Sequence, residues 1–194
     1  MFKCIIANLA DIKSKIELKD KCLKLNKLSS NELSEGGTLW ILSKSIYSKK
    51  EIVPTFLILD KIIELSLIDI ILVPFVEMNK GNLFNNYVVN LNIFTKSLDN
   101  FYLNKDPIRE KHIWKDVEWG KRKKNYNPLG KDPGNVWITT KDNRKGLIIE
   151  DIPFNYPKII ERILKSSTRR NDKAKLLFFK DNYGLSKKRG LSID

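Results

Sequence analysis

The sequence predicts a three-layer α/β fold, with a central sheet between helices. Three observations carry this expectation. Short apolar runs of strand length alternate with longer segments whose apolar residues recur at helical spacing. Several of the runs are apolar on consecutive residues, which suits strands buried on both faces. The chain has 194 residues, 42% of them hydrophobic, enough for one domain with a substantial core.

The elements follow in order. Residues 1–7, MFKCIIA, read as a buried parallel strand. Residues 13–33 are rich in Lys, Leu and Glu at helical spacing and predict a helix, with a break at Ser29-Ser30. Glu35-Gly36-Gly37 reads as a turn into a second buried strand, TLWIL at 38–42. Residues 53–65 predict a helix with Pro54 near its first turn, where a missing amide costs little. Residues 69–75 (DIILVPF) and 88–95 are the third and fourth strands. Residues 154–167, FNYPKIIERILKSS, predict an amphipathic helix entered at Pro157, with Ile159, Ile160, Ile163 and Leu164 as its apolar stripe. Residues 175–179, KLLFF, are a final strand, and Lys187-Lys188-Arg189 a loose basic tail. The expected sheet has four or five mostly parallel strands. Leu176, Leu177, Phe178 and Phe179 make both faces of the last strand apolar, so at a sheet edge it would need a partner to cover it.

The net charge is +13, which makes nucleic acid the first partner to consider and an acidic membrane surface the second. No apolar run approaches the roughly 20 residues that cross a bilayer, so no membrane partner is expected. The first residues lack the pattern of a secretory signal, and a cytoplasmic protein is expected. Cys4 and Cys22 are the only cysteines and are read as reduced thiols. His112 is the only histidine and has no ligand partners nearby in sequence, so no metal site is expected.

Residues 127–138, NPLGKDPGNVWI, hold Pro128, Gly130, Pro133 and Gly134 in a short span. That excludes a regular helix or a central strand and predicts a shaped loop, anchored to a core by the apolar run at 136–138. On composition it is also compatible with an ordinary surface loop. Residues 105–145 contain Trp114, Trp119 and Trp137, with 12 Lys and Arg against 6 Asp and Glu. The densest basic run is GKRKKNY at 120–126. Basic residues interleaved with aromatics suit DNA contact, through phosphate neutralisation and base stacking. A solvated loop with a few packed aromatics is the alternative.

The order of these residues resembles the DNA amino-methyltransferases of restriction–modification systems, which methylate the exocyclic amine of adenine or cytosine. The loop resembles their N-P-x-G-K-x-P-G-x-V-W pattern. Leu33 to Trp40, LSEGGTLW, resembles L-x-x-G-G-x-L-W, and Ile70-Ile71-Leu72 resembles I-I-W without its tryptophan. Thr95-Lys96-Ser97, Phe101-Tyr102-Leu103 and Ile108-Arg109-Glu110 resemble S-K-S, Y-x-F-D and a-I-R-E in the same order. The 154–167 helix resembles F-P-x-x-L-x-x-R-I-I-x-x-S-S, which lies beside the family's cofactor pocket.

The resemblance implies a partial Rossmann-like, S-adenosylmethionine-dependent methyltransferase sheet with an inserted basic target-recognition segment. It divides the chain into an incomplete methyltransferase-like core at 1–97 and 147–194 and a recognition-like segment at 98–146. It implies double-stranded DNA as a partner, contacted by Arg109, Lys121, Arg122, Lys123, Lys124, Tyr126 and Lys131.

Two family motifs are altered. At the place of [DNS]-P-P-[YFW], which binds the target amine and stacks on the flipped base, stand Asn8-Leu9-Ala10-Asp11. Asn8 is the candidate catalytic residue, but a carboxylate replaces the ring. At the place of D-P-F-x-G-S-G-T-T, the glycine turn around the cofactor, residues 176–184 read LLFFKDNYG. Bulky side chains stand where glycines would let the cofactor approach the backbone. The strands that would follow, with the acidic residue for the cofactor ribose, are expected to be missing. The expectation is a catalytically degenerate, methyltransferase-like pseudoenzyme that binds DNA or serves as a partner subunit. On its own it would hold no cofactor, and a second methyltransferase chain or a homodimer would complete it. An active enzyme using S-adenosylmethionine with help from a partner chain, and a decayed remnant, are the alternatives.

Overall fold

The computed structural model describes residues 1–47, 52–74, 88–111, 126–137 and 154–180, and the backbone of 191–193. Among them, β1 (Phe2–Asn8), α1 (Lys15–Glu32), β2 (Leu33–Ser43), β3 (Ile46–Tyr47) and β4 (Ile52–Val53) come first. They are followed by α2 (Thr55–Ile62), β5 (Ser66–Pro74), β6 (Val88–Thr95), a 3-10 turn at Asp106–Ile108, α3 (Tyr156–Ser167), β7 (Ala174–Leu177) and β8 (Leu191–Ile193). Six strands form one sheet in the order β5-β6-β2-β1-β7-β8, and β3 and β4 form a small hairpin. The expected α/β architecture is observed.

The sheet is mixed. β1 pairs in parallel with β2 and β7, and β7 with β8. β6 runs antiparallel to both β2 and β5, so it alone is reversed. The strand missing from the sequence reading is β8, which lies within the tail expected to be loose. Its three residues, Leu-Ser-Ile, are too few to show a period.

Side-chain alternation builds the two outer layers. Cys4 and Ile6 of β1 join a core with Trp40 and Leu42 of β2 and Ile159, Ile160, Ile163 and Leu164 of α3. Ile5 and Ala7 face the opposite core, with Leu39 and Ile41 of β2, Leu18, Cys22 and Leu25 of α1 and Leu59 of α2. Burial pushes the Cys4 thiol up to about 12 and the Cys22 thiol up to about 11, which keeps both protonated and unreactive.

Three local expectations are corrected. Helix α1 is continuous through Ser29-Ser30, because both hydroxyls fold back and donate to the Asn26 carbonyl at 3.0 and 2.9 Å. Its start is capped by Ser14, whose Oγ accepts from the Glu17 amide. Glu35-Gly36-Gly37 is no turn but an irregularity inside β2, where Phe2 faces Leu33 and Cys4 already faces Thr38. A Cβ at Gly37 would come within 2.9 Å of the Lys3 carbonyl oxygen, so this close approach needs glycine. Finally, β7 is not an edge. It lies between β1 and β8, and Leu176 and Leu177 are buried by the sheet's own layers rather than by a partner.

Candidate functional site

From β1 the chain moves outward to β2, and from β7 it moves the other way to β8. The reversal falls between β1 and β7, which lie side by side with Ala7 opposite Leu177. Open α/β sheets bind ligands in the crevice outside the carboxyl ends of strands at such a reversal. Here those ends carry the Asn8 turn and residues 178–180.

Asn8 is buried at the end of β1. Its side-chain oxygen accepts from the Ala10 amide at 3.0 Å, and its Nδ2 donates to Asp11 Oδ2 at 2.9 Å. The Tyr156 hydroxyl, from the first turn of α3, donates to the other Asp11 oxygen at 3.1 Å. The Tyr156 ring meets Phe154 and Phe179 edge-on, with centroids 4.6 and 6.0 Å apart. Asn8 therefore stands where the sequence places it, but its amide is drawn into its own turn. Its oxygen keeps one further lone pair for an amine.

On the β7 side, Phe178 has φ +63°, a left-handed conformation that side chains rarely adopt. Its ring packs toward the α1 layer, with the Lys21 ammonium 5.3 Å from its centroid. Phe179 turns to the other face, against Tyr156. The described part of this turn thus presents two phenyl rings instead of a glycine cradle, and these residues do not fit a close backbone approach by S-adenosylmethionine.

A second region gathers the 108–111 segment, the 127–137 loop and α3. The loop joins the sheet beyond β5: the Leu72 amide donates to the Asn135 carbonyl at 2.7 Å, and the Trp137 amide to the Leu72 carbonyl at 2.8 Å. Glu110 and Lys131 exchange both backbone hydrogen bonds, at 3.1 and 2.8 Å. Gly130 has φ +110°, and a Cβ there would lie 2.6 Å from the Glu110 carbonyl oxygen. Gly134 has φ +62°, and its amide donates to Asp132 Oδ1 at 2.8 Å. That hydrogen bond, with Lys105 and Arg109 nearby, holds the Asp132 carboxyl below its ordinary range.

Trp137 anchors the loop. It is buried, its ring centroid lies 5.9 Å from that of Trp40, and its Nε1 donates to the Gly134 carbonyl at 3.2 Å. The Arg162 guanidinium sits 4.7 Å above its ring and donates to Glu110 Oε1 at 2.9 Å. The fold thus brings together two motifs 20 residues apart in sequence, Ile108-Arg109-Glu110 and the loop.

Of the residues expected at DNA, Arg109 donates to Asp106 Oδ1 at 2.7 Å and to the Gly130 carbonyl at 3.4 Å. Its guanidinium thus holds the loop. Lys131 bridges through its backbone and leaves its side chain exposed, and Tyr126 is half-buried at the head of the loop. Lys121, Arg122, Lys123 and Lys124, with His112, Trp114 and Trp119, lie outside the described residues. Sequence reasoning missed Arg162 and Tyr156. The signal for Arg162 was its position, three residues after Ile159 and four before Ser166, beside the buried stripe. Among the described residues, no three His, Cys, Asp or Glu side chains converge as a metal site, and no helix is long and apolar enough to cross a membrane.

The strand order with one reversed strand, helices on both faces and a reversal between β1 and β7 define the Rossmann-like methyltransferase fold. Solved DNA methyltransferases share it. The PvuII DNA methyltransferase, which is cytosine-N4-specific, superposes with a TM-score of 0.66 at 12% identity, over 99% of this chain and 73% of that one. A DNA modification methylase from Thermus thermophilus, complexed with S-adenosyl-L-methionine, gives 0.63 at 10% identity, over 100% and 79%. M1.HpyAVI in its complex with the same cofactor gives 0.56 at 15% identity, over 100% and 82%. No protein-family model and no curated protein sequence matches the chain.

Proposed function

We propose that this chain is a DNA methyltransferase-like protein without turnover of its own, acting as a DNA-binding or partner subunit. Double-stranded DNA is its ligand, and a second methyltransferase chain or a second copy of itself is its partner. One observation carries the reading. At the β1–β7 reversal, Asn8, Asp11 and Tyr156 satisfy one another while Phe179 packs on Tyr156. A target amine needs an acceptor in line with a methyl donor, and misplacement by about 1 Å costs on the order of a hundredfold. The +13 charge and the anchored 127–137 loop supply the DNA half of the reading.

The second reading is an active adenine or cytosine amino-methyltransferase completed by another chain. The position of Asn8 at the carboxyl end of β1, with one lone pair left, favours it.

Calorimetry of the full chain with S-adenosylmethionine, paired with duplex binding at several salt concentrations, tests the proposal. The expected result is salt-dependent duplex binding without cofactor heat. Stoichiometric cofactor binding with methyl transfer to DNA by the chain alone would overturn it. Binding of neither ligand would leave a decayed remnant as the reading.

A further inference from the structure

A cavity of about 120 Å³ lies on the α3 face of the sheet, under the 127–137 loop. It is separate from the β1–β7 reversal. Ile71 and Asp69 in its wall belong to β5, three strands from β1. At about 4.8 Å per strand, that is roughly 14 Å across the sheet.

The walls restrict what fits. Trp40 and Trp137, both buried, line one side with centroids 5.9 Å apart and planes tilted by 33°. No third ring fits between them, so together they make one broad aromatic wall. Their indole N–H groups donate to Thr38 Oγ1 and the Gly134 carbonyl, and so are already engaged by the protein. Ile71, Ile93, Leu103 and Ile108 add only aliphatic surface. Polar groups come from the exposed lining residues: the Lys105 ammonium donates, the Asp69 carboxylate accepts and the Asn135 amide does both.

Size narrows the occupant further. Apolar cavities of roughly 150 Å³ take up a benzene-sized ring, whereas drug-sized ligands need about 300 Å³ or more. We infer that this cavity is a binding site for one planar six-membered ring with a hydrogen-bonding edge, the chemistry shared by a pyrimidine and a phenol. The ring face lies on the indole wall and the edge meets Lys105 and Asp69. This inference rests on the cavity alone and stands apart from the reading of the β1–β7 reversal.

Titration of the full chain with cytosine and, separately, with phenol tests it by NMR. The readout is the indole N–H signals of Trp40 and Trp137, with those of Trp114 and Trp119 as references. The expected result is saturable shifts with a Kd on the order of 1 mM, confined to Trp40 and Trp137. They should weaken at least tenfold in Leu103→Phe, which fills the cavity from its half-buried wall. Binding of cytosine alone would assign a pyrimidine site, and of phenol alone a phenolic one. No saturable shift with either ring, or shifts unchanged in a folded Leu103→Phe, would overturn the proposal. Cyclohexanol, a puckered ring of similar size, is the control that needs no variant. Affinity equal to that of the planar rings would overturn the planar-ring assignment.

Discussion

The β1–β7 reversal and the 108–137 clamp both lean on α3, but they use their polar groups differently. At the reversal, Asn8 bonds to its own neighbours two and three residues on, and Tyr156 closes the group by reaching Asp11. The polar atoms are turned on one another. At the clamp, bonds span long stretches of sequence: Arg162 to Glu110, Trp137 to Leu72, Lys131 to Glu110. There the polar atoms hold a loop in shape and leave Lys131 facing outward. A site that spends its groups on local closure has little left for a ligand. A site that spends them on long-range bracing presents a rigid surface. This difference is why a DNA-facing role is assigned to the clamp and none in turnover to the reversal.

The largest test of the comparison is Trp137→Ala. The side chain is buried, stacks against Trp40 and carries the Arg162 guanidinium. Its removal should cost about 3–5 kcal/mol. For a chain of this length the midpoint of thermal unfolding should fall by roughly 10 °C. Duplex binding should weaken with it. Calorimetric melting checks the first effect. An unchanged midpoint would mean that the loop is not braced by the core, and the comparison would collapse.

Next comes the charge beside the clamp. Changing Lys121, Arg122, Lys123 and Lys124 together to Ala should weaken binding to all duplexes alike. The slope of log K against log salt should flatten by about two to four units, at roughly 0.9 per phosphate contact. Thermal stability should stay as in the parent. An unchanged salt slope would make this run solvated surface and move the DNA contact elsewhere.

A pair of glycine variants sharpens the clamp. Gly130→Ala forces a Cβ to 2.6 Å from the Glu110 carbonyl oxygen, while Gly134→Ala meets nothing within 4 Å. Both residues have positive φ, so both should destabilise, Gly134→Ala by about 1 kcal/mol. Gly130→Ala should cost more, about 2–3 kcal/mol, and should part the Glu110–Lys131 bridge. Urea denaturation would rank them. Equal losses would show that the bridge does not depend on that close approach.

How much of this was legible in the sequence depended on the kind of signal. The four long buried strands and α3 were readable because apolar runs and helical spacing are local patterns. β6 was placed at residues 88–95 as observed, but nothing local says that it runs antiparallel, since direction is decided by its partners. β8 was invisible because three residues carry no period. Ser29-Ser30 misled because hydroxyls that compete with the helix in general are satisfied here by the Asn26 carbonyl. The loop was legible as a shaped segment from its glycines and prolines. Its dependence on Arg162 was not, because 25 residues separate Trp137 from its cation. Asn8 could be placed at a strand end, but the closure of its amide on Ala10 and Asp11 is a matter of geometry alone.

The smallest effect distinguishes bracing by charge from bracing by shape. Asp132 accepts from the Gly134 amide and faces Lys105 at 3.6 Å. Its carboxyl titrates below the ordinary value because the folded loop favours the ionised form, first through that amide. A depressed folded pKa contributes stability that is fully present above the unfolded value, near 3.9. The contribution is lost as pH falls through the folded value. The loop should therefore be tight at neutral pH and loosen in acid, first at Gly134. Hydrogen exchange of the Gly134 amide, followed downward in pH and corrected for intrinsic rates, should show protection falling in the parent. Asp132→Asn keeps a side-chain oxygen for the same amide but cannot titrate. Its Gly134 protection should be somewhat lower at neutral pH and flat into acid. If parent and variant lose protection together, the acid sensitivity belongs to another carboxylate, and the loop is held by Trp137 and the Glu110 bridge without help from Asp132.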